Sequence, residues 1–169
     1  MTDKIWKRSL LALAVGAASL ALAGCSLLGG AGTGTGVDPQ PGAGENTDVF
    51  TIQVGDCLND GGSVGEVSEV PTVPCTEPHD SEAYASIIMD DGDFPGQQAA
   101  DDQAVADCTT EFNAFVGLDY QTSKLDFAYY FPTEASWANG DREILCLILA
   151  VDEAGNAVKV TGSLKGAAE

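Results

Sequence analysis

The chain has little positive charge, a single histidine, no closely spaced cysteines and no apolar run long enough to cross a bilayer. Each shortage excludes something. Lysine and arginine make up 7 of the 169 residues against 26 aspartates and glutamates, a formal net charge of −19. A field of that sign repels phosphate backbones and anionic headgroups alike, so nucleic acid is excluded as a partner. His79 is the one imidazole available for proton transfer or metal ligation. None of the five cysteines has a CxxC neighbour, the close spacing of structural zinc sites, so zinc is excluded. The apolar segment from Leu10 to Ala23 would extend about 21 Å as a helix, short of a hydrocarbon core ~30 Å thick.

What is present begins with a leader. Lys4, Lys7 and Arg8 precede the apolar segment, and small residues follow it, the layout of an exported signal peptide. Leu22-Ala23-Gly24-Cys25 resembles the lipobox of bacterial lipoproteins. That resemblance implies a diacylglycerol on the Cys25 sulfur and cleavage before it, with residues 1–24 as signal peptide. Two acyl chains anchor stably where one is marginal, so the membrane is the expected first partner, on its extracytoplasmic face. The leader holds three basic residues and one acidic one, so the remainder keeps 4 basic and 25 acidic side chains, net −21.

Residues 25–46 read as the lipidated cysteine and a flexible tether: glycine dominates, and Pro39 and Pro41 interrupt. Its root-mean-square reach is roughly 25–30 Å, enough to lift a small domain off a lipid surface. From Thr47 to Glu169 β-branched and aromatic residues appear, and a modest core becomes possible. Strands are expected over 49–54, 64–73 with a bend at Pro71, 82–89, 125–131, 144–151 and 158–161. Ala83, Ala85, Ile87 and Met89 should share one face, and 144–151 (ILCLILAV) should be the central strand. Val105, Cys108, Phe112, Phe115 and Val116 form an apolar stripe at helical spacing, predicting a helix over 97–116 that Gly117 stops. Thr133 is placed to cap a short helical turn carrying Trp137. The fold class is therefore α+β, a small antiparallel sheet packed on one main helix.

With Cys25 assigned to lipid, Cys57, Cys75, Cys108 and Cys146 remain, enough for two disulfides in three connectivities. Cys108 lies on the buried face of the helix, and Cys146 lies in the strand that helix must cover. This favours Cys108–Cys146 and leaves Cys57–Cys75.

The segments GDCL (55–58), VPCTEPHDSEAY (73–84), FPG (94–96), FVG (115–117), FPTEASWANGDREILCLI (131–148) and TGSLKG (161–166) resemble, in order and spacing, the septum-formation domain of actinobacterial envelope proteins. The resemblance covers about 50–167 and implies a link to cell division, with no reaction or cofactor attached. Members are often anchored by a membrane helix, in whose place this chain carries the lipobox.

Candidate sites are few. His79, beside Asp80, has the residue type of a general base or metal ligand, but Ser81 has no nucleophile setting and the cysteines are committed. A loop-anchoring role suits it better. Acidic turns at Asp56–Asp60 and Asp90–Asp93 do not fit the twelve-residue calcium loop. Glu134, Asp141 and Glu143 surround Trp137 and Arg142, an arrangement that suits either a sugar site or a helix cap with an arginine pairing to a buried carboxylate. His79, Trp137 and Arg142 are thus the candidate ligand or partner contacts, with no catalytic residue, metal or cofactor expected. The reading is a non-enzymatic envelope module contacting envelope or division proteins. A solute- or wall-ligand-binding lipoprotein is the alternative, and a wall hydrolase using an Asp/Glu pair comes third.

Overall fold

A computed structural model describes residues 45–61 and 66–169. The leader, Cys25, nearly all of the tether and the Val64 end of the second expected strand lie outside the described residues. Among the described residues, seven strands form one antiparallel sheet: β1 (Glu45–Asp48), β2 (Cys57–Leu58), β3 (Glu69–Val73), β4 (Ser81–Ile88), β5 (Leu125–Tyr130), β6 (Glu143–Val151) and β7 (Ala157–Val158). Their order is β1-β3-β2-β4-β6-β5, with β7 pairing the far end of β6. One long helix, α1 (Gln97–Val116), and a single-turn helix, α2 (Glu134–Ala138), complete the α+β fold.

β6 shows why its sequence is almost continuously apolar. Side chains alternate across a strand, and both faces of this one are covered. Ile144, Cys146 and Ile148 pack toward α1 with Phe112 and Val116, whereas Leu145 and Leu147 join Ile52, Leu58, Val70 and Ala83 in a second cluster behind the sheet. β6 is interior but not central, since only β5 lies beyond it.

The helix bounds match the periodicity, and Gly117 closes α1 in the left-handed conformation at φ 83°. Its buried row differs from the expected stripe. Ala100, Ala104, Cys108, Phe112 and Val116 are buried, whereas Val105 is 43% exposed. The row steps by four residues, and its two alanines permit a close approach to the sheet that a stripe through Val105 would tilt away.

Two further expectations are corrected. The strand expected over 49–54 is instead β1, two residues of which fall in the stretch read as tether, followed by a 3-10 turn at Val49–Thr51. Asp48 caps that turn by accepting from the Phe50 N–H at 3.0 Å, a local bond that competes with strand extension. Ala83 and Ala85 do not share a face, because the register with β6 slips between them. This bulge sends Ala83 to the rear cluster and lets Tyr84 and Ala85 both face α1, where Tyr84 donates to the Cys108 carbonyl at 2.7 Å.

Both disulfides have the favoured pairing: Cys57–Cys75 and Cys108–Cys146, with Cα–Cα distances of 5.2 and 5.6 Å. The first ties β2 to the turn after β3, and the second ties α1 to β6.

Candidate functional site

Thr133 begins α2 with a capping box: its hydroxyl accepts from the Ser136 N–H at 3.1 Å, and Ser136 Oγ accepts from the Thr133 N–H at 3.0 Å. This turn delivers Trp137 into the core at 6% exposure. The indole N–H donates to the Gly92 carbonyl at 3.0 Å, and the ring packs on Phe94 with centroids 5.6 Å apart. The Arg142 guanidinium lies 3.7 Å from the ring centroid, a cation–π stack. Arg142 also donates to the Trp137 and Asp141 carbonyls at 2.9 and 2.7 Å. Trp137 and Arg142 therefore clamp the turn at 90–93 to α2 and to the start of β6.

The carboxylate paired with Arg142 is Asp91, at 2.9 Å, and its side chain is 91% exposed rather than buried. The Arg142 hydrogen bond, with the Gly92 N–H, holds the Asp91 carboxyl below its usual range. A depressed folded value means the contribution is complete above the ordinary carboxylate range and is lost as pH falls through the lowered one. The stability difference between the natural protein and Asp91→Asn should accordingly shrink between roughly pH 5 and pH 2, as followed by urea melts. A difference that stays constant over that window would remove the pairing from the stability of the domain.

Two of the other acids near Trp137 are engaged separately. Asp141 accepts from Ser136 Oγ at 2.8 Å and from the Glu143 N–H at 3.0 Å. Glu143 accepts from Ser86 Oγ, and Glu134 is exposed in the first turn of α2.

His79 has no exposed surface. Its backbone exchanges hydrogen bonds of 3.0 Å with Val160, and its ring Nδ1 lies 2.8 Å from the Glu77 carbonyl. A carbonyl only accepts, so Nδ1 carries the proton and Nε2 faces the interior, with no partner among the described residues. Asp80 pairs with Lys159 at 2.8 Å, and Ser81 donates to Asp60 at 3.2 Å. Glu82, 3% exposed, accepts from Ser163 Oγ at 2.6 Å and from the Leu164 N–H at 2.7 Å. His79, Asp80 and Glu82 thus fasten the C-terminal stretch at Val160, Lys159 and Ser163–Leu164 respectively. Sequence reading missed Glu82 as the anchor. A carboxylate at an inward strand position with a distant Ser-Leu turn to hold was its only signal.

A further open surface lies among the described residues. A groove of about 1900 Å³ crosses the outer face of β5 and β6, between α2 and the chain around Phe50 and Val67. Leu149, Ala128 and Tyr130 line its floor above the buried Leu145 and Leu147, and Phe50, 59% exposed, stands at its wall. Burial and the nearby Asp60 push the Tyr130 phenol well above its ordinary range, so it stays a protonated donor. Asp60, Glu66, Asp80, Glu134, Asp141 and Glu143 contribute carboxylates, and no lysine or arginine is among its described lining residues. Neither His79, Trp137 nor Arg142 lines it. Among the described residues no group of three or more histidine, cysteine or acidic side chains is arranged to hold a metal ion, and no helix is long and apolar enough to cross a membrane.

These features define a small disulfide-stapled α+β domain presenting an open acidic groove. The family model for septum formation matches residues 54–169, more than half of the chain, and the protein belongs to that family. Membership ties it to cell division or the envelope, in a family that is not a known enzyme family. No characterised protein and no solved structure matches the chain.

Proposed function

We propose that this protein is a non-enzymatic, lipid-anchored interaction module on the extracytoplasmic face of the membrane, contacting other proteins of septum formation or envelope assembly. The observation that carries the reading is the groove over β5 and β6. Small-ligand sites are enclosed clefts of about 300–1,000 Å³ with a few convergent polar groups. This surface is larger, open and apolar along its floor, the character of a protein-docking face. Asp141 and Glu143, beside Trp137, are tied into capping and strand contacts, which favours the module over a hydrolase. The lipobox at 22–25 supports the anchor, and the tether after Cys25 supports a domain held off the bilayer yet free to reach neighbouring proteins.

In-cell crosslinking followed by pull-down of the lipidated protein tests this reading. The same division or envelope proteins should return in repeated experiments, and the intact mass should show a diacylated N-terminal Cys25. Recovery of no such protein sinks the interaction role, and an unacylated start upstream of Cys25 sinks the anchor.

A further inference from the structure

We infer that the groove over β5 and β6 takes a cationic protein segment in which lysines or arginines alternate with apolar side chains. This deepens the proposed function and rests on it. The charge balance carries the inference furthest. Six carboxylates line the groove with no basic side chain among its described lining residues. Of these, Asp80 pairs with Lys159, while Glu66 and Glu134 stand exposed. A neutral or anionic occupant would displace water from around those carboxylates without compensating their charge, which strengthens their mutual repulsion in a medium of lower dielectric. A cationic occupant relieves that repulsion and is steered in from a distance by the net negative domain.

The floor supplies the second requirement. Ala128 is exposed and Leu149 half-buried on the outward face, and Phe50 keeps most of its ring in solvent. Lysine alone would leave that surface wet, whereas leucine or phenylalanine side chains between the basic ones would cover it at ~25 cal/mol per Å² removed from water. Glu66 and Glu134 are exposed, so their charges are available to an incoming segment. The groove therefore reads two properties together, positive charge at its rim and apolar bulk at its floor.

The test uses the full lipidated chain in neutral phosphatidylcholine nanodiscs, with empty discs as the blank. The probe is a fluorescent octapeptide of alternating lysine and leucine, read by anisotropy. It should bind above the blank, and binding should weaken about tenfold or more when Phe50→Ser is combined with Glu66→Lys and Glu134→Lys. Raising salt from roughly 0.05 to 0.5 M should weaken it as well. Val105→Ser, on the exposed side of α1, should leave binding unchanged, and a lysine–serine octapeptide should bind about tenfold more weakly than the lysine–leucine one. Absence of binding, indifference to the triple variant, or equal binding of the lysine–serine peptide each overturns the inference. If the peptide fails while the pull-down returns division proteins, the groove chemistry falls and the proposed function stands. If the peptide binds while the pull-down is empty, the fault lies with the function.

Discussion

Replacing Cys108 and Cys146 together by alanine should cost about 4 kcal/mol and lower the melting temperature by roughly 10–20 °C. The bridge closes a chain separation of 38 residues, against 18 for Cys57–Cys75, so it removes the larger share of unfolded-state entropy. It also joins the two layers of the domain. Cys108 and Cys146 are both fully buried between α1 and β6, with Phe112, Ile144 and Ile148 packed around them. Thermal melts monitored by near-ultraviolet circular dichroism give the measurement. A fall of only a degree or two would mean that packing alone holds the helix to the sheet.

The second large effect is expected at Glu82. Glu82→Ala should destabilise the domain by about 3–5 kcal/mol, because it removes two charge-assisted hydrogen bonds and leaves the Leu164 N–H buried without a partner. The bonds run to Ser163 and Leu164, and Leu164 is itself buried at 7% exposure in the cluster beneath α1. Losing them should free the C-terminal segment before the rest unfolds. Amide hydrogen exchange at Leu164 should accelerate beyond that of the β6 core, and Glu82→Gln, which keeps one carbonyl acceptor, should lose less. Uniform acceleration of all core amides would instead place Glu82 in the global fold and deny it a specific anchoring role.

The two predictions differ in how much of their basis could be read in the sequence. Cys108–Cys146 followed from helical spacing and from the apolar run around Cys146. Both are periodic signals that survive without coordinates, because a side chain on the buried face of a helix must meet what that helix covers. The Thr133 cap and the Gly117 stop are similarly local, set by hydrogen bonds within a few residues. Glu82 has no such signal, since its partners lie more than eighty residues away.

The β4 bulge was hidden for a related reason. Strict alternation from Ala83 to Met89 is what a strand in register would show, and only the pairing with β6 reveals the slip. Arg142 was also half readable: one of few basic residues, it had to find a carboxylate. Which one was decided by the turn at 90–93 folding over Trp137, not by proximity along the chain.

The candidate contacts show the same division. His79 and Trp137 stand out because their side-chain chemistry is rare in this chain, yet both are buried, and the apolar side chains that the groove exposes, Phe50, Ala128 and Leu149, are ones that no motif marks. Rarity is a property of the sequence, whereas exposure is a property of the packed chain.

By itself, then, the sequence determined the acidic character of the domain, the helix and its bounds, the interior strand and the pairing of its four cysteines. Composition and short-range periodicity act on the chain before it folds. The order of the strands in the sheet, the bulge at Tyr84, the Glu82 anchor and the groove were decided only by tertiary structure. Each depends on which distant segments lie side by side, and that is set by the burial of the whole apolar set at once rather than by any one stretch of it.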